Sequence, residues 1–277
     1  MYGAIALTGL LFVIAQTGSV SADESAETPR RIVSLGPSIT KQLFLLGAAS
    51  NVVGITTYCP QPDGAPPIER VGTVVDPSVE RIVRLRPELV LTTPLTNGKR
   101  VSALRSLNVP MDQFPLAKTF DELCGQFTEL GERLNRKARA ENVVEGAREQ
   151  ARALSAAVAE LEKPAVFIQI GARPLVTAGK DSFLNDLIEM AGGLNIAKEA
   201  ELRTYNRESV LAADPDCILI VTMGLTGIEE KRTWGRYDTL SAARRGRIHV
   251  IDSELVCSPT PETYVEALAL VVRLLHP

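Results

Sequence analysis

A chain of 277 residues with 45% hydrophobic and 23% charged side chains can bury a sizeable core and is long enough for two domains. Its formal net charge of −3 carries no basic excess, and 5% aromatics with a single tryptophan, Trp234, supply no platform for stacked bases. Nucleic acid is therefore not expected as a partner. In chain order, the first element is an apolar stretch from Ala4 to Ala15, too short to span a bilayer comfortably, followed by the small residues Val20-Ser21-Ala22. No basic residue precedes that stretch. The reading is a secretory signal over residues 1–22 and a mature protein in an oxidising compartment, with a retained membrane anchor as the lesser alternative.

Next comes RRIVSLGPSIT, residues 30–40. An apolar run, Ile32-Val33-Ser34-Leu35, breaks at Gly36-Pro37-Ser38 and leads into a helix. A serine on such a turn could be a nucleophile, or the turn could line a cleft. The nucleophile elbow requires G-x-S-x-G, and its last position here is Thr40. A hydrolase also needs a histidine, and the chain has two: His249 in a β run and His276 beside the carboxyl end. A hydrolase using Ser38 is thus the lesser reading, and no catalytic residue is assigned.

Two later segments repeat one another: VERIVRLRPELVLTT at 79–93 and RESVLAADPDCILIVT at 207–222. In each, a glutamate (Glu80, Glu208) opens a short helix, a proline (Pro87, Pro215) stops it, and an acid precedes a strand buried on both faces. RIVSL, VVGIT, LVLTT and VPMDQF supply strands in the first half, and AVFIQIG, CILIVT and RIHVID in the second. Strands alternating with helices predict parallel sheets. Between the halves, Ala140, Val143, Val144, Ala147, Ala151, Leu154, Val158 and Leu161 mark a helical stripe that Pro164 ends. The predicted organisation is α/β: a lobe over 23–134, a connecting helix over 135–163 of about 40 Å, and a second lobe over 164–277.

Four cysteines, Cys59, Cys124, Cys217 and Cys257, match no zinc spacing. Cys59 and Cys124 both lie in the first half, which leaves a bridge between them open.

The series RIVSLGPSIT, VVGITTYC, ERVGTVVDPSVERIVRLRPELVL, the long helix and GRIHVID resembles the class III periplasmic binding proteins, over about residues 30–276. These are the substrate-binding components of ABC importers for cobalamin, ferric siderophores and haem. The resemblance implies two Rossmann-like lobes joined by one rigid helix, a ligand held between them, and no resident cofactor. Its partners would be the permease dimer and its ATPase, and the protein itself a monomer. In that family a surface glutamate on each lobe docks on permease arginines, and the carry-over falls on Glu80 and Glu208.

Ligands of open α/β sheets gather beyond the carboxyl ends of the strands. That rule nominates Pro37, Ser38, Tyr58, Val74 and Thr93 in the first lobe. In the second it nominates Arg173, Tyr205, Met223, Gly224, Glu254 and Ser258. Tyr58 leads this set, because tyrosine offers an apolar ring with a polar tip and cobalamin-binding members have a tyrosine at the matching place. Those members place tryptophans where this chain has Val74 and Thr93, and an acid–base pair where it has Glu254 and Ser258. Haem-binding members carry an iron-ligating tyrosine where this chain has Thr73. No cluster of His and carboxylates suggests a bare metal ion. The expected ligand is a large metal chelate, corrinoid ahead of ferric siderophore; Arg173, Lys99 and Arg100 would suit the latter. Trp234 is expected to pack the second lobe rather than meet ligand.

Overall fold

The computed structural model describes residues 28–61, 67–200, 205–222 and 226–277. The expected signal at 1–22 and the cleft positions Met223 and Gly224 lie outside the described residues.

The first lobe runs β1 (Ile32–Ser34), α1 (Pro37–Leu45), β2 (Val52–Ile55), β3 (Glu69–Arg70), α2 (Val79–Arg84), β4 (Leu89–Thr92), α3 (Gly98–Ser106), β5 (Met111–Gln113) and α4 (Phe120–Arg133). Its sheet has the order β3-β2-β1-β4-β5, with every pair parallel. The helix α5 (Lys137–Val158) leads to the second lobe. That lobe holds β6 (Ala165–Ala172), β7 (Leu175–Thr177), α6 (Phe183–Met190), β8 (Leu194–Asn195), α7 (Arg207–Ala213), β9 (Cys217–Thr222) and α8 (Thr226–Trp234). It closes with α9 (Ser241–Arg244), β10 (Ile248–Asp252), α10 (Ser253–Val256) and α11 (Pro261–Leu275). Here the order is β10-β9-β6-β7, with β8 also on β6. This sheet is parallel except for the β6–β7 hairpin. The fold is thus α/β with two lobes, as the alternating pattern predicts.

The repeat is reproduced down to single hydrogen bonds. Ser78 caps α2 and Asn206 caps α7, and Glu80 and Glu208 are each the second residue of their helix. Both helices are followed by a left-handed residue just before the proline: Arg86 at φ 47° and Asp214 at φ 41°. The acid after the proline then ties down the neighbouring strand. Glu88 N donates to Arg31 O and Asp216 N to Ala165 O, both at 2.8 Å. In return, Glu88 Oε2 accepts from Arg30 N at 2.6 Å and Asp216 Oδ2 from Ala165 N at 3.0 Å.

The connecting helix is shorter than its apolar stripe suggests. It spans 22 residues, about 33 Å at ~1.5 Å per residue. Asn135, at φ 54°, breaks the chain before it, and Leu161 is exposed beyond its end. It packs on α4 and α11. The approach to α4 is close: a Cβ on Gly131 would stand 2.4 Å from that of Ala140. One hydrophobic cluster runs from Ile32 and Leu91, through Phe127 and Ala147, to Val166, Leu219 and Tyr264. The lobes therefore share a core across the helix layer, which stiffens the connection between them.

All four cysteines are free, so the bridge between Cys59 and Cys124 is not formed. Each thiol has its own surroundings. Cys59 Sγ lies 2.9 Å from Thr56 Oγ1. Cys124 is buried in α4, where loss of solvent pushes its pKa up to about 11.

Candidate functional site

In the first lobe the chain leaves β1 toward β2 on one side and β4 on the other, so the strand order switches between β1 and β4. Such a switch point opens a crevice at the carboxyl ends of the strands. The two turns there are close: a Cβ on Gly36 would meet Thr93 Cγ2 at 3.2 Å. Pro37 begins α1, a position where its missing N–H has no cost. Ser38 Oγ donates to Pro259 O at 2.7 Å and accepts from Gln42 Nε2 at 3.1 Å. Its proton therefore goes to a carbonyl of the other lobe, which is no general base. Both histidines are elsewhere: His276 has a ring nitrogen 3.0 Å from Ala191 O, and His249 lies in β10. Among the described residues, Ser38 Oγ thus has a carbonyl and an amide as its partners rather than a histidine.

Around this turn the first lobe presents an apolar rim. Tyr58, Val75 and Leu95 are 75%, 58% and 54% exposed, each in a loop after the carboxyl end of a strand. The loops are braced by their backbones. Arg70 Nη1 donates to Thr56 O at 2.8 Å and Cys59 O at 2.7 Å, which holds the turn carrying Tyr58. Asn97 N donates to Val75 O at 2.9 Å, joining the other two loops. Val74 is half-buried between them, while Thr93 is buried and accepts from Leu95 N.

The second lobe offers a different edge. A concavity of about 500 Å³ opens beyond β6 and β9, lined by Gln169, Gly171, Arg173, Val221, Glu229 and Glu230 among others. Its floor is a buried polar network. Trp234 Nε1 donates to Gln169 Oε1 at 2.6 Å, and Gln169 Nε2 donates to Glu230 Oε2 at 2.9 Å. Arg207 forms an ion pair with the same Glu230 oxygen, and its guanidinium stacks 4.5 Å above the Trp234 ring. Trp234 is fully buried, a packing residue with a polar tie. Tyr205 is half-buried with its ring 5.8 Å from that of Phe167, on the core side of this edge. Ile228, 62% exposed in the first turn of α8, adds an apolar residue.

Glu254 and Ser258 lie in the stretch after β10 that meets α1. Lys41 Nζ reaches across the lobes to Glu254 Oε2 at 3.0 Å and to Glu254 O at 2.9 Å. The cation absent next to Glu254 in sequence is thus supplied from the first lobe.

The structure accordingly brings Pro37, Ser38, Glu254 and Ser258 together. It places Tyr58 and Val74 on the first-lobe rim and Arg173 in the second-lobe concavity, and it sets Thr93 and Tyr205 into packing. Sequence reasoning misses Arg70, whose partners are backbone carbonyls of a neighbouring loop, and Lys41, Gln169 and Glu230, whose partners are far along the chain. Leu95 had a local signal: a large apolar residue inside TTPLTNG, a run of turn formers. A second concavity, about 770 Å³, lies beside Glu80 and is lined by Asp76, Ser78, Val83, Arg100 and Leu107. It is the larger of the two but is built mainly from α2 and the α3 side rather than from the turns after β1 and β4, so its size does not mark it as the ligand site. Glu80 and Glu208 are both exposed. Among the described residues, no group of three or more His, Cys, Asp or Glu could hold a metal ion, and no helix is long and apolar enough to cross a membrane.

Comparison with known proteins agrees with this fold. The family described as periplasmic binding protein matches residues 32–255. An uncharacterised ABC transporter substrate-binding lipoprotein of Bacillus subtilis is 25% identical over 259 residues, 90% of this chain and 81% of its own. The vitamin B12-binding protein of Salmonella typhimurium is 29% identical over 208 residues, 74% and 77% of the two chains. A periplasmic haem-binding protein from Pseudomonas aeruginosa superposes with a TM-score of 0.79 at 24% identity, covering 90% of this chain and 93% of that one.

Proposed function

The chain belongs to the periplasmic binding protein family, and from that premise we propose that it captures a corrinoid between its lobes and delivers it to an ABC importer. The observation that carries this reading is the contrast between the exposed apolar rim of Tyr58, Val75 and Leu95 on the first lobe and the polar-walled concavity on the second, beside which Ile228 is exposed. A corrinoid matches that contrast, since it pairs a broad apolar ring system with a polar fringe. Thr73 Oγ1 accepts from Asp76 N at 3.0 Å and offers no aromatic ligand to iron, which weighs against haem. Arg173 in the second-lobe concavity favours one alternative, an anionic ferric siderophore.

In this reading the lobes over 23–134 and 164–277 hold the ligand and the helix limits their hinge motion. The protein works in the periplasm as a binding protein rather than an enzyme. Glu80 and Glu208, one per lobe and equivalent in position, dock on a permease of two matching halves, whose ATPase drives release.

The test is thermal unfolding of residues 23–277 with cyanocobalamin, cobinamide, two ferric siderophores and haemin. A ligand at about 100 times its Kd adds roughly 2.7 kcal/mol of stability, a visible rise in Tm. A rise with the corrinoids alone is the expected result. A rise with siderophores alone transfers the assignment to the alternative, and no rise with any corrinoid ends the corrinoid reading.

A further inference from the structure

Glu230 is 6% exposed, yet it lines the second-lobe concavity. Both of its side-chain bonds fall on one oxygen: Gln169 Nε2 and Arg207 Nη2 donate to Oε2. Oε1 receives none among the described residues. An ionised carboxylate accepts through both oxygens and donates through neither, so one half of a buried acceptor is left for something that enters the concavity. The rest of the network fixes its aim. Gln169 is itself held by Trp234, and Arg207 is held by the Trp234 ring, so neither the carboxylate nor its partners can swing away without breaking another contact. A buried polar group of this kind favours a ligand that completes its hydrogen bonds and disfavours one that cannot.

We propose that Glu230 is a specificity-determining ligand residue that accepts an amide N–H from the fringe of the bound chelate and rejects carboxylate-bearing chelates of the same shape. The assignment rests on the corrinoid reading and deepens it: an amidated corrinoid ring is selected over its carboxylic precursors. Arg207 pairs with Glu230 at Oε2, which leaves Oε1 as the open acceptor in a concavity that Arg173 and Glu229 also line. A ligand amide meets an acceptor there. A ligand carboxylate has no proton to donate there and meets the like charge of the Glu230 carboxylate.

The test compares dicyanocobinamide, whose fringe is amidated, with dicyanocobyrinic acid, whose fringe is carboxylic, by isothermal titration. The unmodified protein is expected to bind the amidated ring at least about tenfold more tightly. Glu230→Gln keeps the shape but removes the charge, and should bring the two affinities within about threefold of each other. Glu266→Gln, at an exposed carboxylate on α11 outside the concavity, should leave the ratio in place. Near-UV circular dichroism of Trp234 checks that the variant is folded, and Glu230→Met takes its place where Gln is not tolerated. Equal affinities in the unmodified protein, or an unchanged ratio in the folded Glu230 variant, overturn the assignment while the corrinoid reading stands. Failure of both rings to bind overturns the corrinoid reading and the assignment with it.

Discussion

The units α2–β4 and α7–β9 are alike in cap, glutamate, left-handed stop and strand-tying acid, but the cleft edges they lead to are not alike. After β4 the first lobe exposes Leu95, close to Val75 and to the braced loop of Tyr58. After β9 the second lobe holds Glu230 in a network with Gln169, Arg207 and Trp234. The repeated part is fixed by backbone hydrogen bonds, which tolerate little change in spacing. The strand-end loops are free of that constraint and can diverge. One framework thus sets equal charges on the outer surface, while its loops make an apolar edge on one lobe and a polar one on the other.

The largest expected effect tests the part that is the same. Reversing both charges, Glu80→Lys with Glu208→Lys, should abolish uptake in cells that carry the permease while leaving ligand affinity in solution unchanged. Each single reversal should reduce uptake to a similar degree, because the two glutamates hold equivalent places. A full loss from one and none from the other would break the equivalence.

The next test addresses the part that differs. Trp234→Ala removes a fully buried ring together with its bond to Gln169, and should cost about 3–5 kcal/mol in urea unfolding. Tyr58→Ala removes a ring that is mostly solvent-exposed, and should change stability by no more than about 0.5 kcal/mol. Its effect should appear instead as a loss of ligand affinity of about tenfold or more, as for an aromatic anchor. Similar stability losses for both would show that the rim is part of the fold rather than a surface kept for ligand.

A smaller effect is expected where the lobes touch. Lys41→Met removes the cation from Glu254, an exposed carboxylate, so the loss in stability should be at most about 1 kcal/mol and should shrink with added salt. A salt-independent loss would mean that the contact works through packing of the lysine stem.

These contrasts follow how the sequence can be read. The repeat, the lobes and the strands at Ile32, Leu89 and Cys217 were legible because buried parallel strands leave apolar runs and prolines mark the helix ends. The strands β3 and β8 have two residues each, too few for any period, and β7 is a three-residue return strand. Tyr58 was legible as an amphipathic residue after a strand. Glu230 was not: it reads as an ordinary helix-surface acid in GIEEKRTW until the fold brings Gln169, 61 residues away, against it. Lys41 and Glu254 are 213 residues apart and carry no local signal at all.

The smallest effect asks whether the two helix stops are equal in energy as well as in shape. Arg86 and Asp214 both hold a left-handed backbone, which costs a residue with a side chain about 1–2 kcal/mol relative to glycine. Part of that relief is lost to the greater freedom of glycine in the unfolded chain, so Arg86→Gly should stabilise by at most about 1 kcal/mol. Asp214→Gly should destabilise instead, because the Asp214 carboxylate accepts from Ser241 N at 2.6 Å and from Ser241 Oγ at 2.7 Å. Those bonds, backbone first, hold its pKa below the ordinary aspartate value. A depressed folded-state pKa contributes stability above the unfolded value of about 3.9, and that contribution disappears as the pH falls through the folded value. The penalty of Asp214→Gly should therefore be seen in unfolding experiments at neutral pH and fade in strong acid, whereas the gain from Arg86→Gly should not depend on pH. A pH-independent penalty at Asp214 would locate its role in the turn backbone and make the two stops equivalent after all.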